Sequence, residues 1–206
     1  MTIAEWTAVM GRLGVDEAAA VGTGATLLAA YGAVHRHYHS LRHLGAVVAV
    51  IDGLADLAAD PDLVRLAAWY HDAVHEPDGP GGDEQRSAQL ARIDLTGLGL
   101  GPPSVDEVAR LVELTATHDP APDDRNGAVL CDADLWILGA DRDRYDRYAT
   151  EVRAEYAHVA DGAWRSGRAA VLRHFLDRAA IYSTAPGRRR ASTARANLER
   201  ELRSFG

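Results

Sequence analysis

A single cysteine, Cys131, is all the thiol this chain carries, so no intramolecular disulfide can form. Long apolar runs are missing too. No segment reaches the roughly 20 apolar residues needed to cross a bilayer. Met1 to Gly14 is a weakly apolar run that includes Glu5, Trp6 and Arg12. It lacks the basic start and long apolar stretch of a secretory signal. A cytoplasmic protein without a membrane partner is the expectation. Basic residues are also short: 22 Lys and Arg stand against 30 Asp and Glu, a formal net charge of −8. That balance excludes a broad phosphate-backbone footprint, and with it a nucleic-acid duplex as partner. A small phosphorylated substrate remains compatible, because one metal ion and a few arginines reverse the local field.

Repeats of 20 to 50 residues are absent, and no shift in composition marks a second domain. The 206 residues, 47% hydrophobic and 25% charged, suit one globular domain over 1–206. Whether it forms a homo-oligomer stays open. Strand alternation is scarce and helical spacing common. Helices are predicted over Asp16–Tyr31, where Gly22 and Gly24 weaken the pattern, and over Ser40–Leu57. Another runs from about Asp62 to Val74, with Pro61 at its start. Pro77 and Gly79-Pro80-Gly81-Gly82 then force a loop before Asp83–Asp94. Ser104 and Glu107 have the spacing of a capping box, with the helix continuing to about Thr117. Further helices fit Gly127–Leu138, Asp141–Val159, Ala163–Tyr182 and Ser192–Arg203. The fold class is all-α, an irregular helical bundle.

Four places carry metal-binding residue types. His39 and His43 lie four apart and share a face if a helix begins there. His71-Asp72 ends an apolar helix just before the Gly/Pro loop. His118 stands at a helix-to-loop boundary, and Asp132 and Asp134 sit inside an otherwise apolar helix. Any one of these is commonplace. Burying carboxylates and imidazoles together in apolar helices is costly without pairing or a metal. From the residues alone, His39 competes with His43, and Asp132 with Asp134.

The ordered set His43, His71-Asp72 and Asp134 resembles the H…HD…D signature of the HD superfamily of metal-dependent phosphohydrolases. Its flanks, Tyr38-His39-Ser40-Leu41-Arg42-His43, His71-Asp72-Ala73-Val74 and Asp132-Ala133-Asp134-Leu135, are similar to a subgroup of predicted HD phosphohydrolases. So are Asp83-Glu84-Gln85-Arg86-Ser87 and Ala194-Arg195-Ala196-Asn197-Leu198. The resemblance covers roughly Tyr31 to Leu202. It implies an HD-type helical fold and a site with His43, His71, Asp72 and Asp134 as ligands. Asp132 then becomes an outer partner that orients a ligand histidine.

Two imidazoles and two carboxylates make a mixed N/O set that suits one Mn, Fe, Co, Ni or Mg ion. The implied reaction is hydrolysis of a small phosphomonoester or nucleotide by metal-activated water. Asp72, with Glu76 four residues on, is the expected catalytic pair. His75 stands where related nucleotidases carry an acid, so their mechanism does not transfer directly. His39, His118 and Arg168 are the expected substrate contacts, an arginine being able to clamp phosphate bidentately. Trp69, Trp136 and Tyr182 read as core. Two alternatives are a di-iron oxygenase of the HD fold and a non-catalytic metal-binding or ligand-sensing module.

Overall fold

In the computed structural model, which describes residues 1–206, the chain forms eleven α-helices and no strand. The first five are α1 (Ile3–Arg12), α2 (Glu17–Tyr31), α3 (Leu41–Leu54), α4 (Pro61–Tyr70) and α5 (Asp83–Gly97). They are followed by α6 (Pro102–Leu114), α7 (Arg125–Asp134) and α8 (Arg142–Glu155). The last three are α9 (Asp161–Asp177), α10 (Ala185–Arg188) and α11 (Ala191–Arg203). Short 3₁₀ turns extend α3 over Ala55–Leu57 and α7 over Leu135–Gly139. The fold is all-α, and no helix is long and apolar enough to cross a membrane.

Aspartate side chains start many of these helices. Asp16, Asp60, Asp124 and Asp141 each accept a backbone N–H from the first turn of the following helix. Such caps satisfy donors that the helix itself leaves free. The capping box expected at Ser104 does not form. Two prolines move the helix start upstream, to Pro102 with Gly101 as cap, because proline has no N–H to lose and its φ suits the first turn. Glu107 instead accepts from Arg110 and from Asn126 Nδ2, the latter at 2.8 Å.

The helix expected to reach Val74 stops at Tyr70. Arg36 explains the stop. Its guanidinium donates to Asp72 O at 2.6 Å and to Ala73 O at 2.9 Å. Asp72 N donates to the Tyr31 hydroxyl, and Val74 N to Ser87 Oγ. Side chains thus satisfy a backbone that has left the helix.

The Met1–Gly14 stretch, given no element from sequence, is mostly α1. Trp6 anchors it, fully buried, with Nε1 donating to Ala20 O at 2.9 Å. Gly24 makes room for that ring: a Cβ there would lie 2.3 Å from Trp6 Cδ1. The helix expected to run to Tyr182 ends at Asp177 and leaves an irregular segment up to α10.

The apolar interior has two parts. The larger takes residues from α1 to α7, including Trp6, Leu27, Leu44, Ile51, Leu66 and Trp69. Each such side chain contributes about 1.5–3 kcal/mol on burial. The smaller joins Leu135 and Leu138 to Tyr145, Leu172, Tyr182 and Leu198. Ala133 belongs to the first part and Leu135 to the second. Asp134 sits between them, at the end of α7, where several helix ends meet.

Candidate metal centre

Three helix termini bring the site together. His43 lies in the first turn of α3, His71 and Asp72 follow the last residue of α4, and Asp134 closes α7. Helix ends let polar side chains leave the apolar face without unravelling the helix that carries them.

The donor atoms crowd one point. His43 Nε2 lies 3.1 Å from His71 Nε2. Asp72 Oδ2 is 3.0 Å from His71 Nε2 and 3.4 Å from His43 Nε2. Asp134 Oδ1 is 3.1 Å from His43 Nε2 and 3.7 Å from His71 Nε2. His43, His71 and Asp72 form the compact triad, and Asp134 Oδ1 stands outside it as a further donor against both rings. Ligands about 2.1 Å from one ion stand about 3.0 Å apart at right angles and about 3.4 Å in a tetrahedron. The measured separations fall around those values.

Hydrogen bonding fixes how the donors point. His71 Nδ1 lies 2.7 Å from Ala68 O, so in the neutral ring that nitrogen carries the proton and Nε2 presents a lone pair. Asp72 Oδ2 faces it, buried and without a hydrogen-bond partner. A buried lone pair opposite an unpartnered carboxylate oxygen is costly unless a cation lies between them. The residues present therefore fit a divalent ion.

His118 Nε2 holds Asp134 Oδ2 at 2.7 Å, which leaves Oδ1 for the centre. His118 itself sits at φ 50°, a left-handed backbone costing a non-glycine residue about 1–3 kcal/mol. Arg178 holds that turn by donating to the carbonyls of Thr117 and His118.

The charges answer one another. Burial opposes ionisation, yet Asp134 is held below the usual carboxylate range by His118 and His43. Asp72 is lowered too, against burial, by His71 and His39. Burial would push His43 down, but its contacts with Asp134 and Asp72 raise it to about 9. His71 is raised in the same way, chiefly by Asp72. Without a metal, protons on the imidazoles balance the carboxylates; a divalent ion replaces them.

A second group lies alongside. Glu155, the last residue of α8, has a fully buried side chain. It accepts from Tyr38 N at 2.7 Å and His39 N at 2.9 Å. Its Oε2 is 2.6 Å from His39 Nδ1 and 3.2 Å from His75 Nε2. Burial would raise Glu155, and the two histidines lower it instead. A cavity of about 310 Å³ is lined by His39 and His75 as well as by His71 and Asp72. Another, of about 470 Å³, exposes Tyr38, His39, His118 and Asp134 beside apolar Val152, Trp164 and Phe175.

The structure thus gathers His43, His71, Asp72 and Asp134, with His118 one contact behind. His39 joins Glu155 rather than the four donors. Asp132 does not orient a ligand histidine: it is buried and accepts from Ser183 N, Thr184 N and Thr184 Oγ1. One helical turn cannot aim both aspartates the same way, and Asp132 faces the segment before α10. Glu76 makes its contact with Arg86 at 2.6 Å, half exposed in the Gly/Pro loop, and lines the 310 Å³ cavity that His71 and Asp72 also reach. Arg168 lines the 470 Å³ chamber, but its Nε and Nη2 are engaged by Glu201 and the Tyr148 hydroxyl. Those contacts make it a strut between α8, α9 and α11. Sequence reasoning missed Glu155 and Arg36, both of which read as ordinary helix-end or loop charges.

A scan against protein-family models, a search of curated proteins and a search of solved structures each returned no match.

Proposed function

We propose that this chain is a metal-dependent phosphohydrolase of the HD type, acting on a small phosphomonoester or nucleotide. The observation that carries this reading is the pairing of His43 Nε2 and His71 Nε2 at 3.1 Å, with Asp72 Oδ2 and Asp134 Oδ1 each 3.0–3.7 Å from both ring nitrogens. A mixed N/O set without thiolate suits Mn, Fe, Co, Ni or Mg. Such an ion would lower the pKa of a water ligand and offset charge on a phosphoryl oxygen.

The chain's own residues divide the remaining work. His118 keeps Asp134 oriented. The Ala68 carbonyl keeps His71 in the tautomer that presents Nε2. His39 has Nδ1 anchored on buried Glu155, and its other ring nitrogen is free to serve the cavities it lines. It is the group placed to pass a proton to the leaving oxygen, as an imidazole does when a buried carboxylate orients it. The apolar wall of Val152, Trp164 and Phe175 takes the organic part of the substrate and keeps bulk water away.

One observation favours a second reading. His39, His75 and Glu155 have ligand atoms within 4.8 Å of one another, and their cavity also reaches His71 and Asp72. A second ion there would make the centre dinuclear, the arrangement an oxygenase of this fold would need.

The test is metal analysis of the purified protein combined with a phosphoester screen using several divalent ions, run with and without O₂. Phosphate release that needs metal but not oxygen supports hydrolysis. Oxygen consumption favours the oxygenase. Metal binding without turnover across a broad panel favours a sensing module and removes hydrolysis.

A further inference from the structure

One wall of the centre carries unbalanced positive charge in a chain whose net charge is −8. A cavity of about 220 Å³ ends on His43 and Asp134, and Arg42, Arg144 and Arg147 line it as well. Its volume is far above the roughly 15 Å³ that one water needs. Arg144 and Arg147, three residues apart, share a face of α8.

Neither Arg144 nor Arg147 has a carboxylate within 4.0 Å, although acidic residues stand on the same helix. Asp146 is taken by Arg142 and Arg200, and Glu151 by Arg42. Elsewhere in the chain arginines are mostly spent on the fold. Arg36 holds the turn after α4, Arg168 ties α8 to α11, and Arg195 caps the end of α9. Two guanidinium forks without a carboxylate partner on one cavity, with His43 and Asp134 on the same lining, are arranged differently.

The rest of the lining is mainly apolar, with Ala46, Val47, Val50 and Trp136 among it, joined by the rings of Tyr38 and Tyr148 and by the Glu151 carboxylate. Low-dielectric walls strengthen the field that the arginines send into the cavity. Planar guanidinium forks match the oxygens of phosphate in pairs, which an ammonium does not.

We propose that Arg42, Arg144 and Arg147 form an anion subsite that takes the phosphate group of the ligand beside the metal centre. This rests on the reading of His43, His71, Asp72 and Asp134 as metal ligands. Glu151 is part of the device. It holds Arg42 in the absence of ligand, so the subsite contains its own competitor.

The probe is inorganic phosphate, titrated calorimetrically into Mn²⁺-loaded protein at fixed ionic strength. The variants are the Arg144→Ala/Arg147→Ala double substitution and Glu151→Gln. Both arginines are exposed, so circular dichroism should be unchanged. Metal content should stay at the wild-type level, while phosphate affinity drops about tenfold or more, the loss expected for two charge-assisted contacts. Glu151→Gln should act in the opposite direction and tighten phosphate binding.

Phosphate affinity unaltered in the double variant overturns the proposal and leaves the metal reading standing. Wild-type protein that binds no phosphate overturns it too. Wild-type protein that takes up no metal, yet binds phosphate through these arginines, keeps the subsite and removes the metal reading.

Discussion

Replacing Asp132 by alanine should damage the fold and spare the metal. The Asp132 carboxylate is 1% exposed and accepts from Ser183 N at 2.7 Å, Thr184 N at 2.8 Å and Thr184 Oγ1 at 2.6 Å. Gly187 passes so close that a Cβ there would lie 2.2 Å from Asp132 Oδ2. Alanine leaves two backbone N–H groups and a hydroxyl facing an emptied, buried space. Hydrogen bonds to a charged acceptor contribute about 1.5–3 kcal/mol each and do not add fully, so a loss of about 3–5 kcal/mol is expected. At about 2–4 °C per kcal/mol for a chain of this size, Tm should fall by about 10 °C. Asp132→Asn keeps one acceptor oxygen and should lose roughly half as much. The assay pairs thermal melts in chelator with metal content measured well below the melt. Asp132→Ala should keep wild-type metal content, whereas Asp134→Ala should lose the ion. An Asp132→Ala protein with unchanged Tm and no metal would refute the assignment of the two aspartates.

Three further outcomes follow from the contacts around the site. His43 is raised from 6.5 to about 9 by Asp134 and Asp72 against the pull of burial. Its stabilising contribution in metal-free protein is thus complete below about pH 6.5 and lost as pH rises through about 9. Chelated protein should lose Tm across that window, while metal affinity rises because fewer protons compete. A flat Tm in chelator would contradict the coupling. Glu155→Gln should lower kcat by about 10²-fold if His39 is the proton donor it orients. Metal content should stay the same, and loss of one of two ions would favour the dinuclear reading instead. Gly24→Val forces a side chain into Trp6, where even a Cβ would come within 2.3 Å. A destabilisation of about 2–3 kcal/mol is expected by chemical denaturation, and a neutral result would mean that α1 moves freely.

Much of this architecture is legible locally. Asp16 and Asp141 announce helix starts because a cap needs only its own first turn. His71-Asp72 before a Gly/Pro run marks a helix end for the same reason. Local reading misplaced the α6 start, where Pro102 and Pro103 outrank the Ser104–Glu107 pair. It also ran α4 four residues too far, because Arg36 supplies from a distance what another turn of helix would have supplied. The candidate site divides along the same line. Its histidines and aspartates stand out by residue type and order. Glu155 reaches His39 across 116 positions and leaves no periodic or compositional trace. Asp132 and Asp134 are two residues apart in one helix, and only the packing of the segment before α10 tells which of them faces the centre.

The most direct test of the metal centre is the ion content of Mn²⁺-loaded, desalted wild-type protein beside His71→Ala and Asp72→Ala, with circular dichroism as the control for folding. The four-donor arrangement predicts tightly held metal in the wild type and its loss from both helical variants. Wild-type stoichiometry in both would place the ion elsewhere and contradict the account.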